Sequence, residues 1–489
     1  MMFYSCRVLL CFALTILIPV SFSISGVRAE STDDQSQITS ENTYYVAKNG
    51  SNKNSGSLSK PWLTLAYAVD KLNPGDTLYV RSGVYSEKIM IENSGTASAP
   101  ITISSYPKET AVLDGTGLGM SESMDAMVFI YDQSYIHIKG LEIRNYSTTE
   151  TGTCIGGILV EGNCNGIELR NNNIHHIQNL ANVDSEGNGR DAHGIAVYGS
   201  SLSTIRGLKI TGNTISDCKL GSSEALAVNG NVSWFYVSKN LVYNNDNIGI
   251  AFIGYEGVCS SPLLDRARNG TCVNNIVHHI DSYGNPAYGT DQSADGIYCD
   301  GASKITIKDN IVHHVNFGIE LASEHAGRNG TYNTVENNFV YNCTNAGLSI
   351  GGYDSERGSA FSNTIRNNTF YHNDTSEGGF GEIYLQYRAY NNVITYNAII
   401  AGDQGILVND TYSTNYGNKF NFNVYYSTVG VSQGIWIWKT KEYVGFESYR
   451  KGTSNDANSY FRFPQIQTSC GKVTPITISP DKSLAAGRQ

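Results

Sequence analysis

Asn310-Ile311-Val312-His313-His314-Val315-Asn316-Phe317-Gly318-Ile319-Glu320-Leu321-Ala322-Ser323 contains both repeats that decide the fold. Asn310 opens a short β-branched run, and the same unit returns at Asn173, Asn213, Asn240, Asn275, Asn338, Asn368, Asn397 and Asn423. The interval is about 26 to 40 residues, the range of stacked structural repeats. Asn tolerates the left-handed backbone of a tight turn, and its amide can bond the equivalent Asn one layer up. The series therefore predicts a solenoid of parallel β-coils with these asparagines in one row of turns.

Gly318-Ile319-Glu320-Leu321-Ala322 is the second repeat, in phase with the first. It matches Gly194-Ile195-Ala196-Val197-Tyr198, Ala225-Leu226-Ala227-Val228-Asn229, Gly249-Ile250-Ala251-Phe252-Ile253, Gly296-Ile297-Tyr298-Cys299-Asp300, Gly347-Leu348-Ser349-Ile350 and Glu382-Ile383-Tyr384-Leu385-Gln386. Two apolar positions per repeat alternate with variable ones, as a strand with one buried face requires. The variable positions point outward, where chemistry can sit.

Composition agrees with an all-β chain. The 489 residues include 50 Gly and 32 Tyr, and only 16% are charged, which gives many turns and few of the Lys/Glu-rich faces that solvate helices. A net charge of -10 argues against a nucleic-acid partner. Arg7, the apolar run from Val8 to Val20 and the small-residue site Val27-Arg28-Ala29 have the form of a secretory leader. A secreted or cell-surface location is expected, without a membrane span and as a monomer. The predicted boundaries are 1–29 for the leader, 30–42 for a linker, 43–432 for the solenoid and 433–489 for an irregular closing segment.

In an oxidising compartment Cys154 with Cys164, and Cys259 with Cys272, are plausible disulfides, while Cys299 packs inward. No Cys/His spacing matches a zinc site, so no metal is expected. The doublets His175-His176, His278-His279 and His313-His314 read as positions on the repeat surface. Sequons at Asn145, Asn231, Asn269, Asn329, Asn342 and Asn409 imply an exposed, glycosylatable surface.

The opening region, Tyr44-Tyr45-Val46-Ala47-Lys48-Asn49-Gly50-Ser51, Lys60-Pro61-Trp62-Leu63-Thr64-Leu65 and Leu72-Asn73-Pro74-Gly75-Asp76-Thr77-Leu78-Tyr79-Val80, resembles the start of extracellular right-handed parallel β-helix proteins that act on polysaccharides. Leu65, Ala68, Val69 and Leu72 have helix spacing, so a short N-terminal helix should cap the open end of the first coil. The aromatic residues of Gly434-Ile435-Trp436-Ile437-Trp438 and Tyr460-Phe461-Arg462-Phe463 should cover the last coil.

Glycosidic cleavage needs two carboxyls on one surface. Asp300 and Glu320 fall on outward positions of consecutive coils, one outward step apart. With layers ~4.8 Å apart and same-face residues ~6.6 Å apart, their Cα atoms should lie ~8 Å from each other. Glu324 follows on the same wall, and Asp295, Tyr298, His325, Tyr353, Asp354 and Arg357 cluster around them as candidate substrate contacts. These segments look similar to the β-helix β-xylosidase family of glycoside hydrolases. That resemblance implies Asp300 as nucleophile and Glu320 or Glu324 as acid/base, with no cofactor.

Arg190-Asp191-Ala192-His193 and Lys219-Leu220-Gly221-Ser222-Ser223-Glu224 form a second constellation. His193 and Glu224 are further candidate substrate contacts. The alternative they raise is a calcium-dependent polysaccharide lyase on a uronate polymer, with Lys219 as base and Asp191 and Glu224 as calcium ligands. A third alternative is a non-catalytic glycan-binding solenoid, whose row of Tyr198, Tyr255, Tyr298, Tyr353, Tyr384 and Tyr387 would stack on sugars. In every case the expected partner is a polysaccharide or oligosaccharide.

Overall fold

The computed structural model describes residues 42–464 except 186, together with the short strands Thr468–Ser469 and Lys472–Val473. The leader, nearly all of the linker and Cys470 lie outside the described residues. The described chain winds as a right-handed parallel β-helix. Three sheets of 13 strands each run along it, and each strand pairs with its equivalents in the coils before and after. Pairing is parallel up to the closing strand Lys441–Val444, which runs antiparallel to Ile435–Trp438, and it continues past residue 432 through Ile435–Trp438 and Tyr460–Phe461.

The Gly-Ile-x-Val repeat builds the second sheet. Ile195, Leu226, Ile250, Ile297, Ile319, Leu348 and Ile383 stack in one inward column, each fully buried, so burial is shared continuously from coil to coil. Glycine precedes five of these seven residues, where the next coil passes too close for a side chain. A Cβ on Gly318 would stand 2.3 Å from the carbonyl oxygen of Gly347.

The asparagine ladder is present, with two corrections. It runs Asn172, Asn213, Asn240, Asn275, Asn310, Asn338, Asn368, Asn397, Asn423, each side chain after the first accepting through Oδ1 from the backbone and side-chain amides of the preceding member. Asn173 is not a member; it pairs with Thr214. Nor do the ladder asparagines adopt left-handed backbone. The residue just before each does, among them Asn171, Lys239, Asn274 and Asp309. The ladder position selects Asn because a buried amide can both donate and accept along the stack. A shorter ladder, Asn333, Asn363, Asn392, Asn418, serves the later coils.

Both ends are covered as expected. The helix Leu65–Asp70 buries Leu65, Ala68 and Val69 against the first coils. At the far end Trp436 stacks on Tyr449, from the helix Phe446–Thr453, with ring centroids 5.2 Å apart. No helix among the described residues is long and apolar enough to cross a membrane.

The expected disulfides are not formed; all seven described cysteines are free thiols. Cys154 and Cys164 lie at opposite ends of the strand Thr153–Glu161, which spans roughly 25 Å or more. Cys272 points into the core beside Asn275, while Cys259 is buried elsewhere, its thiol against the Ser201 carbonyl oxygen. Not every sequon is accessible, either: Asn231 is fully buried, its amide bonded to the carbonyls of Ser201 and Leu202.

Candidate active site

Alanine fills the central outward column of the second sheet at Ala196, Ala227 and Ala251, and the column then changes to Tyr298, Glu320, Ser349 and Tyr384. Chemistry therefore begins at the coil containing Asp295–Asp300. Asp300 pairs with Ala322 and Tyr298 with Glu320, so Asp300 and Glu320 sit on adjacent coils one outward step apart. The outer face of this sheet is roofed by loops, and beside the alanines an apolar patch including Ile248, Ile253 and Tyr298 is buried.

Between the loops opens a cleft of about 500 Å³. Asp291, Asp295, Glu320 and Glu324 supply its carboxyls; Tyr288, Tyr298, Phe317, Tyr353, Phe380 and Tyr384 supply its aromatic walls. Gln386 lies at its floor, where its Nε2 donates to Glu320 Oε1 at 3.2 Å and to Ser349 Oγ. Its own Oε1 has no partner among the described residues.

Asp300 lies deeper than the sequence reading placed it. It is 2% exposed and does not line the cleft. Its Oδ1 accepts the backbone N–H of Glu324 at 2.6 Å, and its Oδ2 lies 4.0 Å from His325 Nε2. The Glu324 carboxylate in turn accepts the Tyr298 hydroxyl at 3.1 Å. The sheet thus positions Glu324 twice, through its main chain and through its side chain.

The electrostatics centre on Glu324. Burial, then the Glu324 charge, lifts the Glu320 carboxyl to about 8. Burial followed by Glu320 and Glu324 holds Asp295 well above the ordinary carboxylate range. Asp300 is also raised, by burial and then by Glu324. Glu224, from the second constellation, is raised by burial and by Glu256, Asp191 and Glu324. The two constellations that looked separate in the sequence thus share one acidic field.

Other expected residues have different surroundings. His193 is buried between the Glu224 carbonyl oxygen, 2.8 Å from Nδ1, and the Tyr198 hydroxyl, 2.7 Å from Nε2; burial lowers its pKa. Arg357 pairs with Asp354 at 3.2 Å and covers the Tyr353 ring at 4.5 Å, so Asp354 fixes the loop and does not line the cleft. Lys219 faces Asp246 at 3.7 Å, and Asp191 accepts from Ser223 Oγ at 2.9 Å. The grouping of Lys219 with Asp191 and Glu224 as one lyase set finds no direct contact in this arrangement.

Residues at or beside the cleft that escaped the sequence reading include Glu256, Tyr288 and Gln386. Glu256 and Tyr288 come from loops that interrupt the repeat, and such insertions on one face of a solenoid commonly carry function. Gln386 ends a repeat that was recognised, two positions after Tyr384. Glu256 accepts from Asn229 Nδ2 at 2.6 Å. With Asp300 and His325 it brings three ligand-type atoms within 4.8 Å of one another, a mixed carboxylate and imidazole set able to hold a divalent cation.

A family description of a right-handed β-helix region matches residues 126–323 and 288–448, and a Pel9A-like right-handed β-helix region matches residues 44–197. The chain belongs to the right-handed β-helix family. Uncharacterized protein YwoF of Bacillus subtilis is 41% identical over 423 residues, covering 86% of this chain and 88% of that protein. Pectate lyase PEL9 of Emericella nidulans is 29% identical over 192 residues, 35% of this chain and 47% of its own. Among solved structures, the GH136 lacto-N-biosidase of Eubacterium ramulus aligns with a TM-score of 0.52 at 16% identity, over 86% of this chain and 67% of that one. That last likeness concerns the fold.

Proposed function

We propose that this β-helix protein is a carbohydrate-active enzyme of the cell exterior that hydrolyses a glycosidic bond in a neutral or weakly acidic glycan. The observation that carries this reading is the cleft in which Glu320, held protonated up to about pH 8, stands beside Glu324. Glu320 is the general acid for the leaving oxygen. Glu324 is the carboxylate that faces positive charge developing on the sugar ring. Asp295 shares the Glu320 site and helps retain its proton, and Asp300 positions Glu324 through its main-chain N–H.

The tyrosine and phenylalanine walls suit the apolar faces of pyranose rings, and the free Gln386 Oε1 suits a sugar hydroxyl. The crowding of Glu224, Glu256, Asp295, Asp300, Glu320 and Glu324 disfavours a polyanionic substrate. Kinship with a pectate lyase over 35% of this chain supports polysaccharide as the partner class, while the proposed catalytic coils lie beyond residue 290.

One observation favours a second reading, elimination on a uronate polymer: Glu256, Asp300 and His325 could hold a cation that screens the acidic wall from such a substrate. Incubation with a panel of glycans, followed both for reducing ends and for the ultraviolet absorbance of an unsaturated uronate, separates the readings. Reducing ends without that absorbance are expected. Reducing ends with it, abolished by a chelator, would establish elimination; binding without turnover would leave a lectin.

A further inference from the structure

The third sheet carries a feature the proposed reaction does not use. His278-His279 and His313-His314 lie on consecutive coils in register, His278 beside His313. A strand would send neighbouring side chains to opposite faces, but the second member of each doublet is left-handed, with φ of 52° at His279 and 51° at His314. The backbone thereby turns both rings to one side. The two Nδ1 atoms converge to 2.7 Å in the first doublet and 2.8 Å in the second.

The doublets also stack. His278 lies on His313 with centroids 4.9 Å apart and planes 8° apart. His279 lies on His314 at 5.1 Å and 2°. Tyr243 and Tyr341 close the two ends of the His278–His313 stack.

We propose that the His278-His279 and His313-His314 ladder is a binding site for divalent transition-metal ions of the copper, nickel and zinc class, each doublet chelating one ion through its paired Nδ1 atoms. Two nitrogens at about 2.0–2.1 Å from one metal and at right angles to each other stand about 2.9 Å apart, close to the separation already present. In each contact one Nδ1 carries the proton; on chelation that proton moves to the Nε2 of the same ring, leaving both Nδ1 lone pairs for the metal. Open coordination positions are filled by water or by a metal-binding group of a ligand. His175-His176 makes the same Nδ1 contact at 2.8 Å on an earlier coil without a stacked histidine doublet, and it serves as an internal reference.

The test is titration of the metal-free full-length protein with Cu²⁺ at pH 7.5, followed by calorimetry and by electron paramagnetic resonance of the frozen complex. The variant is His279→Asn with His314→Asn, because Asn244 and Asn342 occupy the same left-handed position in neighbouring coils, both with φ of 53°. Nitrogen hyperfine structure and dipolar broadening from two ions about one coil spacing apart, ~5 Å, are expected in the wild type. The double variant, with an unchanged melting temperature, should lose the broadening and at least tenfold in affinity at these sites, keeping the signal of His175-His176. An unbroadened wild-type spectrum, or identical isotherms for the two proteins, would overturn the proposal.

Discussion

The backbone N–H of Glu324 donates to Asp300 Oδ1 at 2.6 Å, tying the wall of the cleft to the coil beneath it. Glu324 follows its strand in a loop, where a side chain has no fixed direction unless something supplies one. Asp300 and the Tyr298 hydroxyl supply it. Asp300→Ala should therefore lower kcat by about a hundredfold through misplacement of Glu324, with a smaller change in KM. Steady-state kinetics on the glycan identified by screening checks this; an unchanged kcat would remove Asp300 from the site.

Glu320 should trade stability for activity. Its folded pKa of about 8 lies above the unfolded value, so the folded state binds the extra proton between about pH 4.3 and 8. Its contribution to stability is full below that window and is lost as pH rises through it. Glu320→Gln keeps an oxygen for the Gln386 amide but cannot ionise. The variant should melt higher than wild type at pH 8, match it below pH 4, and lose about 10² to 10⁴ in kcat. Thermal melts across pH measure the first two, and a wild type whose stability rises from pH 5 to 8 relative to the variant contradicts the assignment.

The ladder should behave as a structural spine. Asn310 accepts from both amides of Asn275 and donates to Asn338 and to the Cys272 carbonyl, all buried. Asn310→Ala leaves the buried backbone N–H of Asn275 unsatisfied and removes one acceptor of its side-chain amide, and should cost about 2 to 4 kcal/mol. Urea unfolding should give a lower midpoint with an unchanged slope.

Removal of the central charge should be felt by its neighbours. Glu324→Gln takes away the largest charge effect on Glu320 and on Asp300, so both carboxyls should titrate at lower pH than in wild type. Carbon-13 spectra of labelled carboxyls, followed from pH 4 to 9, read this directly. Unmoved titrations would mean that burial alone sets these values.

Much of this was legible in the sequence because a solenoid repeats its reasons. The Gly-Ile-x-Val alternation set the inward column, and its register put Asp300 and Glu320 on adjacent coils one step apart. The run Asn171-Asn172-Asn173 misled because three equal side chains hide the phase, which only pairing of Asn173 with Thr214 fixes. Glu256 and Tyr288 stayed hidden because loops outside the period have no column to align. The depth of Asp300 was illegible for the same reason: outward on the sheet means exposed only where no loop returns over it. The Cys154 and Cys164 pair failed on reach, since ten residues of sequence along a strand are not a short loop.

The pH dependence of kcat/KM, measured from pH 5 to 9 in the presence of a chelator on the responsive glycan, bears most directly on the central claim. Protonated Glu320 acting as general acid predicts activity that survives the chelator and falls on the alkaline side with a midpoint near pH 8. Activity that is flat through pH 9, or that vanishes in chelator and returns with a divalent cation, would contradict it.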